Sequence, residues 1–212
     1  MSHEKLTALE KDILTEVGSI CAGNATTALV QMVGKKISLN LPSLDIVNIQ
    51  ELPRYLASYA DEVVIGLHMQ ILGGARGNAL LVLPTKDAFK IIDLLLGPAD
   101  ELPSSMTEIG MSSLKEMGNI LISAYLSVLT TFTGIPAFPS TVTLTNGAAN
   151  SLVNLAFAGL HDKVEKDTIL IKALFDDKRR NLSGHFFIIF DFMTIREILG
   201  KTKKMIKKTD EE

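Results

Sequence analysis

Glu16, Gly18 and Ile20 are answered 100 residues later by Glu116, Gly118 and Ile120. Without a gap, the same offset sets Leu14 on Leu114, Leu29 on Leu129 and Gly34 on Gly134. A register held over so many positions is hard to obtain by chance. It restricts the fold more than any single motif, because whatever the first half builds the second must build again. Farther along, "DEVVIGLHMQI" from Asp61 answers "DTILIKALFDD" from Asp167, and "GNALLVLPTKDAFKIIDLLLG" from Gly77 answers the shorter "GHFFIIFDFMTIREILG" from Gly184. Each half reads long helix, strand, connecting segment, two strands, helix. The period lies far above the roughly 20 to 50 residues of solenoid arrays, which predicts a pseudo-two-fold duplication. The 212 residues are then one domain of two repeats, approximately 7–100 and 105–200.

Local signals place the elements. Thr7 reads as an N-cap with Glu10 three residues on, and Gly34 ends the segment. In the second half Ser105 with Glu108 reads as the matching start, and Gly134 as the stop. Strands follow from alternation and β-branching in "KISLNL", "IVNI", "EVVIGLHMQIL", "ALLVL", "TVTLT", "TILIKALF" and "HFFIIF". "GGARGN" and "DDKRRNLSG" are short, polar and turn-forming, which favours antiparallel hairpins. The expected class is α+β, with a mostly antiparallel central sheet flanked by long helices. The tail "KTKKMIKKTDEE" reads as a solvated helix end.

Within the long helices one pattern carries chemistry. Ser112, Glu116 and Asn119 stand at i, i+4 and i+7 and line one helical face. The first half has Asp12, Glu16 and Ser19 at the same places, so the amide is replaced by a hydroxyl. A carboxylate pairs with a lysine or polarises water, and a carboxamide both donates to and accepts from one water. Together they suit the orientation of a water for attack on a phosphoryl group, where catalysis is largely positioning and charge placement. Gly118 beside Asn119 offers no side chain to block an approaching surface. On spacing alone the stripe also fits a solvated helix face.

Other chemistries are poorly served. His3, His68, His161 and His185 are scattered without metal-ligand spacing, and the two on strands read as structural. Cys21 is the one cysteine, so no internal disulfide forms and a reducing compartment is expected. Dinucleotide, Walker-type and nucleophile-elbow motifs are missing. A net charge of −3 gives no general attraction for nucleic acid or an anionic membrane. The N-terminus lacks the apolar run of a signal peptide, and Ser123, Ser127, Thr130 and Thr131 interrupt the second long helix, so membrane insertion is not expected. The expected location is the cytoplasm.

The duplicated arrangement of Asp or Ser, three residues, Glu, two residues and Asn, inside "KEMGNILISAYLSVLTTFTG", resembles the CheC/CheX/FliY family of chemotaxis phosphatases. "DILTEVGSICAGNATTAL" is similar to the first CheC motif helix, and two motif copies resemble CheC more than CheX. The resemblance implies dephosphorylation of the aspartyl phosphate of a CheY-type response regulator. Glu116 would pair with the regulator's lysine and Asn119 would orient the attacking water. Magnesium ion would come with the regulator, and no cofactor would be bound by this chain. Glu16 takes the same role in the first copy, where Ser19 is too short to fill the space of a carboxamide. The family pattern adds a proline after the motif: Pro42 stands at that place in the first copy, whereas the second has Val142, with Pro139 three residues short. The second repeat is thus expected to carry the better site. The resemblance also allows a weakly catalytic or non-catalytic adaptor that binds a CheD-type receptor glutamine deamidase through "NGAANSLVNLAFAGL". There Asn146 stands where an acidic residue is usual.

Overall fold

The computed structural model describes residues 6–34, 38–39, 43–48, 52–55, 59, 62–97, 106–156, 167–177 and 182–210. The first half contains α1 (Ala8–Val33), β1 (Ser38–Leu39), β2 (Ser43–Asn48), α2 (Leu52–Tyr55), β3 (Val63–Gly73), β4 (Gly77–Pro84) and α3 (Thr85–Leu96). The second contains α4 (Glu108–Thr133), β5 (Ala137–Pro139), β6 (Thr143–Ala148), α5 (Ala149–Ala156), β7 (Asp167–Asp177), β8 (Leu182–Phe190) and α6 (Phe192–Asp210).

Both long helices have 26 residues. Thr7 opens α1 with a capping box: its hydroxyl accepts from the Glu10 amide at 3.2 Å, and the Glu10 carboxylate accepts from the Thr7 amide at 2.9 Å. In α4 the cap is Thr107, which accepts from Gly110 N at 3.1 Å. Ser105 is therefore not the cap; it falls outside the described residues, and Glu108 is the first helical residue rather than the third. Thr107 is the residue that the 100-residue offset sets on Thr7. Gly34 and Gly134 close the two helices with the same left-handed backbone, φ 68° and ψ 11°, which a residue without Cβ adopts at no steric cost.

All strand pairings among the described residues are antiparallel. The sheet runs β1-β7-β8-β4-β3-β5, with β2 also on β7 and β6 also on β3. β4 and β8 meet at the centre, from Gly77 opposite Phe190 to Val82 opposite His185. At each end, short strands from one half complete the outer strand of the other. The "GGARGN" segment turns tightly between β3 and β4. β5 and α2 were not expected, and each is only three or four residues long.

Side chains alternate across the sheet with the period of two that strands impose. One face presents Leu67, Met69, Leu81, Phe186 and Ile188 to Leu14, Cys21, Leu29, Leu114, Met117 and Leu121 of the long helices. The other presents Val64, Leu80, Val82, Phe187 and Ile189 to Tyr59, Ala149 and Leu152. β4, covered on both sides, is buried along its whole length. α1 is long and apolar enough to cross a membrane, yet its apolar face is packed in this core.

Among the described residues, no buried side-chain nitrogen or oxygen lacks a hydrogen-bond partner. His68 Nε2 is hydrogen-bonded to Asn78 Oδ1 at 2.9 Å, and His185 Nδ1 to the Tyr59 hydroxyl, in agreement with structural roles for both rings. Burial, then the nearby Lys172 charge, holds His185 down at about 4. The C-terminal segment is more than a solvated end. α6 continues to Asp210, and Lys203 Nζ donates to Glu10 Oε1 at 2.9 Å while Arg196 NH1 reaches the same oxygen at 3.4 Å. The Thr7 amide, followed by Lys203, lowers the Glu10 carboxyl to about 2.

Candidate functional site

α4 lies against the sheet by one face and against α1 by another, and its third face is open. Leu114, Met117, Leu121 and Tyr125 are buried. Asn24 Nδ2 of α1 donates to the Ala124 carbonyl at 2.8 Å, tying the long helices together. Gly118 belongs to the buried side: a Cβ there would stand 3.2 Å from Leu67 Cδ1 and 3.6 Å from the Met69 methyl. It admits the sheet rather than a partner, which corrects the expectation from sequence. A glycine at this place lets β3 approach the helix closely.

On the open face, Ser112 and Glu116 are exposed and Asn119 is half-buried. They line a depression of about 310 Å³ together with Lys115, Thr141 and Val142. The far wall is held in place by Ser140, whose hydroxyl accepts from Gln70 N at 2.9 Å and whose amide donates to Gln70 O at 2.8 Å. Below it, the Ala137 amide donates to Thr130 Oγ1 at 3.0 Å and anchors β5 to the end of α4. Neither Glu116 nor Asn119 has a side-chain hydrogen bond or ion pair among the described residues, so both heads are available to a second molecule.

α1 carries Asp12 and Glu16 exposed and Ser19 half-buried in the corresponding stripe. There the chemistry differs. The Ser19 hydroxyl donates to the Thr15 carbonyl at 2.8 Å, a contact within its own helix. Pro42 lies outside the described residues. Val142, at the corresponding place after α4, lines the depression.

Lys115 and Thr141 were missed from sequence. Lys115 is three residues from Ser112 and four from Asn119, so helical spacing alone puts it on this face. Thr141 arrives from a loop and leaves no local signal. Among the described residues, no group of three or more His, Cys, Asp and Glu is placed to hold a metal ion. Cys21 is buried and its thiol is pushed up to about 12, which removes it as a nucleophile near neutral pH.

No protein-family model matches the chain. The chain is 27% identical over 192 residues to the CheY-P phosphatase CheC of Bacillus subtilis, covering 89% of this chain and 91% of that protein. It is 28% identical over 179 residues to the flagellar motor switch phosphatase FliY of the same organism, covering 82% of this chain and 44% of the longer relative. The chain is a homologue of CheC and FliY. The fold agrees: the crystal structure of Thermotoga maritima FliY superposes with a TM-score of 0.74 at 22% identity, covering 94% of this CheC-like chain and 98% of that one. The resemblance seen in the duplicated motif thus extends to nearly the whole CheC-like chain.

Proposed function

We propose that this chain is a phosphatase for the aspartyl phosphate of a CheY-type response regulator in chemotaxis, with α4 carrying the working site. The observation that supports this best is the open depression in which Glu116 and Asn119 have no side-chain partner among the described residues. The regulator would seat its phosphorylated aspartate over the depression. Glu116 pairs with the regulator's lysine, and Asn119 holds a water by accepting a hydrogen bond from it through Oδ1 and donating one to its oxygen through Nδ2. The water oxygen bonds to phosphorus as the bond to the aspartyl oxygen breaks, giving inorganic phosphate and a free carboxylate. The magnesium ion belongs to the regulator, and this chain contributes no cofactor.

The first half is the weaker copy in this reading, because Ser19 is engaged by Thr15 where an amide would face outward. The matched order of elements and the exchange of edge strands support a single domain of two repeats with pseudo-two-fold character. Its place is the cytoplasm, where the regulator is. Adaptor binding to a CheD-type deamidase is the second reading, favoured by α5 at the expected place, whereas Asn146, exposed just before it, departs from the usual acidic residue. Residues 157–160 of that segment lie outside the described residues. The test is to mix the protein with a phosphorylated CheY-type regulator and measure phosphate release against spontaneous loss. Release no faster than the spontaneous rate would reject the phosphatase reading.

A further inference from the structure

Ile109 is 68% exposed, in the first turn of a helix whose other apolar residues are largely covered. That position gains nothing from a branched apolar side chain. The first turn of a helix favours an acidic or polar residue, since backbone amides and the helix dipole place positive charge there. Leu9, at the same position of α1, is 65% exposed. Both motif helices therefore present a large apolar side chain to solvent one turn before the polar stripe begins.

Ile109 is continuous with the site. At 100° per residue, Glu116 lies two turns on and within about 20° of it around the helix. Ser112 lies between them. The distance along the axis is about 10 Å to Glu116 and about 15 Å to Asn119. A protein that sits over Glu116 and Asn119 with a footprint of standard size, about 800 Å² per partner, covers a disc roughly 16 Å in radius. Ile109 falls inside that footprint. A small-molecule substrate held in the depression would not reach it.

We infer that Ile109 is an apolar anchor for the regulator at the Glu116/Asn119 site, a residue that sets affinity and partner choice while leaving the water and the phosphoryl group to Glu116 and Asn119. This rests on the proposed phosphatase reading and specifies what the partner must offer: a small apolar pocket or patch about 10 Å from its phosphorylation-site lysine. An exposed isoleucine that becomes buried on association loses contact with water, and apolar residues of this kind contribute to affinity mainly through slower dissociation.

The experiment compares wild type with Ile109→Asp and Ile109→Leu. Aspartate suits the first turn of a helix, so Ile109→Asp should fold, which thermal unfolding checks. Two readouts are taken with a CheY-type regulator from the same genome: binding of the regulator carrying beryllofluoride, and dephosphorylation as a function of regulator concentration. Ile109→Asp should raise the dissociation constant and the half-saturating concentration by about tenfold or more, with a smaller change in the rate at saturation. Ile109→Leu should stay near wild type. If wild type accelerates dephosphorylation and Ile109→Asp matches it in both readouts, the anchor is overturned and the phosphatase reading stands. If wild type binds the beryllofluoride form without accelerating hydrolysis and Ile109→Asp loses that binding, the phosphatase reading falls and the anchor stands. No binding and no acceleration by wild type would reject both.

Discussion

Asn119 and Ser19 stand 100 residues apart on helices of equal length, yet one head group faces an open depression and the other bonds to its own backbone. That difference makes a prediction. Asn119→Ala should reduce stimulated dephosphorylation by about 10²-fold if the amide acts in the transition state, whereas Ser19→Ala should cost little, because its hydroxyl is already used within the helix. Comparable losses in both variants would reverse the ranking of the sites. Ser19→Asn restores a group long enough to face outward beside Glu16, and activity should rise by at most about twofold if the two sites are equivalent and independent. Glu116→Lys places a cation where a partner lysine is expected, so dephosphorylation should be lost. Folding should stay within about 0.5 kcal/mol of wild type, because the residue is exposed. Unfolding of that variant would assign Glu116 to the core. That Ser112, Glu116 and Asn119 share one open helical face was legible from their spacing. The direction of Gly118 was not, since a glycine carries no hydropathy by which to tell the core side from the solvent side.

Among the elements, α1 and α6 are joined by one carboxylate. Glu10 accepts from the Thr7 amide and from Lys203, and this holds its carboxyl at about 2 against an ordinary 4.5. A carboxyl depressed in the folded state contributes stability above its unfolded pKa, and that contribution is lost as pH falls from about 4.5 through about 2. Glu10→Gln keeps an oxygen for the Thr7 amide but removes the charge facing Lys203 and Arg196, so it should lower stability at neutral pH by up to about 1 kcal/mol, read as a lower unfolding temperature. Chemical denaturation of the two proteins at a series of pH values should show their difference narrowing below pH 4.5. A constant difference down to pH 2 would mean that the charge does not matter. The Thr7–Glu10 box was readable from sequence because its partners are three residues apart. The link to Lys203 was not, since nothing local in a lysine-rich tail marks which amine will find a carboxylate at the other end of the chain. β5 escaped notice for a related reason: "AFP" is too short for alternation to show, and its strand character comes from Thr130 and β3 rather than from its own residues. The second helix start was misplaced by two residues because Ser105 and Glu108 imitate a capping box that Thr107 does not complete.

For the whole molecule, the sheet order matters most. β1 and β2 lie on β7, and β5 and β6 lie on β3, so neither half of the chain keeps its edge strands beside its own long hairpin. A fragment ending at Gly97 would leave the β4 edge and the α1 face uncovered. It should give no cooperative unfolding transition by itself. Mixing it with a fragment from Met106 onward should restore the transition and, with it, dephosphorylation. A cooperative transition in either fragment alone would show that the shared sheet is dispensable. The sheet order has a further effect on the order of events during synthesis. Ser38 and Ser43 leave the ribosome well over a hundred residues before Asp176 and Lys172, the residues they will pair with. At about 5 to 20 residues per second, β1 and β2 wait roughly 6 to 28 seconds with their backbone groups in water. Closing so long a loop is also slow in the refolding of the complete chain. The first motif helix thus emerges early but stays without its finished floor until nearly the last strand has been made.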